Sequence, residues 1–249
     1  MSGNILLSAM LSKADPSQVE GLSRFFKTGP GQYGEGDCFL GIKVPVTRAV
    51  VKECWRSVSF GELEECVASG YHEVRLSALL ALVEIFSHAS KDKDLQQQCI
   101  DFYLSHTDNI NNWDLVDLSC YNLLGTWLLD KDRSPLYDLA RNGRSIWEQR
   151  IGIVSTMQFV RHGQTDDTFN IADILLHHPH DLIHKAVGWL LREAGKKNET
   201  ALRAYLADRA SEMPRTMLRY AIEKFPEAER KQIISAPSSV SGIRRSRAC

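Results

Sequence analysis

The return of apolar helices at a long, regular interval constrains this chain more than any other feature. A 3.6-residue periodicity marks one apolar helix over Val74 to Phe86 and another over Asn111 to Leu129. Ser145 to Val160, His180 to Lys196 and Pro214 to Phe225 read the same way. Shorter amphipathic segments, LQQQCIDFYLSH and ETALRAYLAD among them, lie between these helices. The longer helices begin near residues 71, 112, 145, 181 and 213. Helix pairs returning every roughly 30 to 45 residues are the pattern of an α-solenoid. The expected fold is therefore all-α, a solenoid of HEAT-like repeats with a concave basic face; an irregular helical bundle is the rival. The most strand-like piece, CFLGIKVPV, is broken by Gly41 and Pro45 and is expected to be a loop entering a helix. Asp15-Pro16, Ser145 and Asp181 are expected to cap helices.

The chain has 249 residues, enough for one large domain or two small ones. We read residues 1–234 as a single repeat domain and 235–249, which are small, polar and basic, as a tail. No apolar run is long enough to span a bilayer, and the N-terminus lacks the features of a signal peptide. Cys38, Cys54, Cys66, Cys99, Cys120 and Cys249 show no CxxC spacing. Buried free thiols in a reducing compartment fit them, so a cytoplasmic protein is expected, nucleoid-associated in a bacterium.

Thirty basic residues against 31 acidic ones leave a net charge of -1. A nucleic-acid binder usually has a basic excess. Such a role here would require positive charge gathered on one face. Candidate stripes exist. Lys185, Trp189, Arg192 and Lys196 follow one another at helical steps, and Arg215 with Arg219 repeats the pattern. Arg48, Lys52 and Arg56 form another stripe, preceded by Lys43. Stacked in a solenoid, these would make a basic track studded with Trp, suited to phosphates. Taken singly, each stripe is equally a solvated helix face.

When the long helices are overlaid, Arg75, Arg150 and Lys185 fall at one position and Asp117 falls at the same position in the Trp113 helix. A carboxylate among bases on a DNA-facing surface weakens binding, which suggests a chemical purpose. A salt bridge from Asp117 to Arg150 or Arg75, tying repeats together, explains it as well. His177, His178, His180 and His184 match no zinc spacing and look like a helix–helix turn. GQYGEGD, Gly31 to Asp37, lacks the GxGxxG order and reads as a flexible loop. Neither a metal nor a cofactor is expected.

WDLVD (Trp113 to Asp117), IWEQRIGI (Ile146 to Ile153), KAVGWLLRE (Lys185 to Glu193) and FLGIKVP (Phe39 to Pro45) resemble, in order and spacing, the AlkD-like DNA alkylation repair glycosylases, over about residues 20 to 225. The resemblance implies a HEAT-like solenoid that holds duplex DNA and excises cationic N3-alkyladenine and N7-alkylguanine as a monomer. It implies a catalytic carboxylate at Asp117, flanking aromatics at Trp113 and Trp189, and a neighbouring Arg150. It also implies backbone-contacting bases such as Arg192 and Arg219, and recognition without an enclosing base pocket. Asn112 and Phe26 depart from the family pattern, which bears on the lesions accepted. A non-catalytic HEAT-repeat DNA binder and a protein-binding helical scaffold are the alternatives.

Overall fold

The computed structural model describes residues 3–235, and all regular structure among them is helical. By the density of internal contacts the chain forms two compact units, divided between Trp127 and Leu128. No helix among the described residues is long and apolar enough to cross a membrane. The tail expected beyond Ser235, Cys249 included, lies outside the described residues.

The first unit contains α1 (Ile5–Leu11), α2 (Pro16–Phe25), α3 (Val44–Cys54), α4 (Phe60–Val67), α5 (His72–His88), α6 (Lys93–Ser105) and α7 (Trp113–Asp117). Local chemistry starts these helices. Asp15 accepts the Ser17 N–H while Pro16 fills the first turn, as expected from sequence. Ser59 and Glu62 form a capping box on α4. The centre of the unit is α5, whose residues from His72 to Leu82 are all buried. Against it pack α3, α4 and α6.

The second unit contains α8 (Ser134–Asn142), α9 (Ile146–Val154), α10 (Met157–Arg161), α11 (Asp166–Ile174), α12 (Asp181–Lys197), α13 (Glu199–Arg209), α14 (Arg215–Ala221) and α15 (Glu227–Ser235). Its central helix is α12, packed on α9, α13 and α14. Ser145 caps α9 as expected. The cap of α12 is His180 rather than Asp181, because the His180 ring accepts the Leu182 N–H. The histidine-rich segment is a turn between α11 and α12, as the sequence suggested, with His178 bonded to Gln149 and His184 to the His178 carbonyl.

Two expected helices are broken. The segment 111–129 breaks after α7, Trp113–Asp117, and continues through a turn into a wide π turn at Tyr121–Gly125. Between them the Ser119 hydroxyl bonds back to the carbonyls of Leu115 and Val116, competing with the helical ladder. The segment 145–160 breaks after Val154, where Thr156 does the same to the Ile153 carbonyl. The piece CFLGIKVPV is a loop entering α3, as expected, apart from one isolated bridge between Cys38 and Tyr71. Cys54, Cys66, Cys99 and Cys120 are buried free thiols; Cys38 is exposed.

Candidate active site

Helix α7 presents WDLVD at the rim of a cavity of about 400 Å³ in the first unit. Trp113, Asp114 and Asp117 line it. The opposite wall is Ile42, Lys43, Val44 and Pro45, and Leu22, Phe25 and Phe26 come from the end of α2. The volume is in the range of small-ligand pockets. Its surface is largely apolar and aromatic. Phe26 stacks on Trp113 at 5.5 Å between ring centres and on Phe39 at 5.2 Å, and Phe25 meets Trp113 edge-on at 5.9 Å. Asp117 is half-buried here, a carboxylate among aromatic faces. That combination favours a cation.

A buried polar network holds this wall in place. His72, at the start of α5, lies between two carboxylates, with Nδ1 3.1 Å from Asp37 and Nε2 2.9 Å from Asp114. Arg75 pairs with Asp37 and donates to Asn111 and to the Ser69 carbonyl. Its charge is thus shared with Asp37. Asn112, which caps α7, also donates to Asp37. Burial pulls the His72 imidazole down, but its bonds to Asp114 and Asp37 outweigh this and raise it to about 9. Burial likewise pushes the Asp37 carboxyl up, and the His72 bond, the Arg75 charge and Asn112 together hold it below its ordinary value. The imidazole is also covered by Phe26 at 4.6 Å and Phe39 at 4.9 Å.

Glu73, the next residue, fixes the opposite wall. Its carboxylate accepts the backbone N–H groups of Leu40, Gly41 and Ile42 at 2.9, 2.9 and 3.0 Å. Gly41 has φ +87°, and a Cβ there would lie 1.9 Å from the Asp15 carbonyl, so only glycine fits. The FLGIKVP segment is thereby a shaped wall. Sequence reasoning missed Asp37, His72, Glu73 and Asp114. The available signal was the polar pair His72-Glu73 opening the most apolar helix of the chain.

The remaining expected site residues are distributed as follows. Lys43 is exposed at the cavity mouth. Arg48 and Lys52 are exposed on α3 and line a second cavity of the same unit. Arg150 and Trp189 belong to the second unit. Arg150 is buried on α9 and donates to the Leu182 carbonyl; Trp189 is half-buried on α12. Lys185 pairs with Asp181 at 2.8 Å, Arg192 with Glu193 and Glu223, and Lys196 with Glu193 at 2.7 Å. Arg215 donates to the Ile234 carbonyl, and Arg219 is exposed.

An all-helical fold among the described residues, with a carboxylate–tryptophan cavity, defines a class that comparison with known proteins makes specific. Residues 6–225 match the model of the DNA alkylation repair enzyme family, and the chain belongs to that family. A solved structure described as a predicted DNA alkylation repair enzyme from Enterococcus faecalis shares the fold, with a TM-score of 0.65 over 86% of this chain and 97% of that one at 14% identity. No curated protein matches the sequence.

Proposed function

We propose that this member of the family is a monofunctional DNA glycosylase acting on cationic alkylated purines, N3-alkyladenine and N7-alkylguanine, in duplex DNA. The observation that carries this reading is the half-buried Asp117 carboxylate beside Trp113 in an aromatic-lined cavity. An alkylated purine already bears a positive charge and leaves readily. As the C1′–N bond breaks, its electron pair neutralises the base and the positive charge moves to the sugar. Asp117 stabilises that oxocarbenium-like sugar electrostatically. Water adds to C1′, and its proton passes to Asp117 or solvent, leaving an abasic site. Trp113 and Trp189 pack on the sugar, and Arg150 contacts phosphate. Lys43, Arg48, Lys52, Lys185, Arg192, Lys196, Arg215 and Arg219 hold the backbone. The chemistry as written requires water and these side chains, and the protein acts as a monomer.

The test is base release from duplex DNA methylated at purine nitrogens, comparing the parent with Asp117→Asn. Release of 7-methylguanine or 3-methyladenine by the parent, and its near-loss in a variant that still binds DNA, supports the reading. DNA binding without release from either lesion by the parent would overturn it in favour of a non-catalytic DNA-binding role.

A further inference from the structure

Two separate cavities of the first unit lie against α3 and α5. On α5, His72 and Leu76 line that cavity, and Leu80, Glu84 and His88 line the second cavity of the unit. These five residues are one stripe at steps of four. On the facing side, Val44 of α3 lines the first cavity, and Arg48 and Lys52 of α3, with Arg56 of the 3-10 turn that follows it, line the second. So α3 and α5 run side by side, with the Asp117 cavity at their N-terminal ends and a cavity of about 350 Å³ at their C-terminal ends.

The second cavity is cationic and pre-organised. Arg48, Lys52, Arg56 and His88 surround it, with Glu84 the carboxylate among them, 3.8 Å from His88. Trp55 forms its plate. The Arg56 guanidinium lies over the Trp55 ring at 4.4 Å, and the His88 ring lies against the same indole at 4.4 Å. A solvated stripe of charge leaves its long side chains mobile; here one indole holds both the Arg56 guanidinium and the His88 ring.

We propose that this Trp55–Arg56–His88 pocket is a second phosphate-binding site, which grips the DNA backbone outside the lesion. It rests on the reading that the protein binds DNA with the lesion at Asp117.

The experiment uses the full chain and a duplex carrying one tetrahydrofuran abasic analogue, with a single uncharged methylphosphonate walked outward on either side. Binding is measured for the parent and for Arg56→Gln, and base release from methylated duplex is measured in parallel. The expected result is an affinity loss of about tenfold when the neutral linkage lies at one position outside the lesion, on one side only. Arg56→Gln should be insensitive there, with its salt slope reduced by about one. A parent with no such position, or a variant with the same loss, would overturn the pocket. If the parent binds with this pattern but releases no base, the glycosylase reading fails and the pocket stands. If it binds no DNA, both fail.

Discussion

His72 Nε2 lies 2.9 Å from Asp114 Oδ2, joining the start of α5 to the short helix that carries Trp113 and Asp117. The other ring nitrogen reaches Asp37, so a single imidazolium ties a loop, a core helix and α7 together. All three groups are buried. Replacing His72 with Asn leaves two carboxylates facing each other without their shared cation. Breaking a buried pair in this way costs about 3 to 5 kcal/mol. We expect chemical denaturation to show that loss.

The same network makes stability depend on alkaline pH. His72 titrates at about 9 in the folded chain against an ordinary 6.5. A raised folded value means that the stabilisation is fully present below about pH 6.5 and is lost as pH rises through about 9. The contribution is on the order of 3 kcal/mol. Denaturation midpoints measured from pH 6 to 10 should fall across this window. A flat profile would mean that His72 does not hold its proton.

Glu73→Gln tests the opposite wall. One carboxylate accepts three backbone N–H groups from Leu40, Gly41 and Ile42. A carboxamide offers one oxygen and turns an NH2 toward donors. The expected cost is about 2 to 4 kcal/mol, with faster amide exchange at residues 40–42 than in the parent. Unchanged exchange there would show that the wall is held by something else.

Gly188 lies at a tight helix crossing. A Cβ on Gly188 would lie 2.5 Å from the Met217 carbonyl and 2.6 Å from the Tyr220 Cβ, where α12 packs on α14. Alanine is the better helix former by about 1 kcal/mol, but here the backbone must move, and we expect Gly188→Ala to destabilise by about 1 to 3 kcal/mol. Gly21, on α2, meets nothing within 4 Å. Gly21→Ala is therefore the control and should stabilise slightly. Equal melting shifts for the two would contradict the crossing.

These residues also show where the sequence is readable. Helices α5 and α12 were legible because apolar side chains recur on their buried faces, and Asp15 and Ser145 because a cap needs only neighbours in sequence. The break after Asp117 was not legible, since Ser119 chooses between its own helix and the Leu115 carbonyl only once the chain is packed. Asp117 and Trp113 stood out as a carboxylate and an aromatic one turn apart. Asp37 did not, because its partners His72, Arg75 and Asn112 are 35 to 75 positions away, and a glycine-rich segment gives no periodic signal. That segment read as a flexible loop; in the structure Asp37 anchors its end to the core.

Arg192 connects the proposed DNA contacts to the near-neutral charge of the chain. Its guanidinium lies 3.2 Å from Glu193 and also bonds Glu223. To bind phosphate it must leave or share these carboxylates. Exposed ion pairs such as the one with Glu223 contribute little to stability, so the exchange is cheap, yet the carboxylate still repels an approaching phosphate. Glu223→Gln should therefore strengthen duplex binding several-fold at low salt. The gain should shrink as salt screens the repulsion, and thermal stability should stay close to that of the parent. Affinity measured by titration across a salt series decides it: equal binding by parent and variant at low salt would place Arg192 away from the DNA.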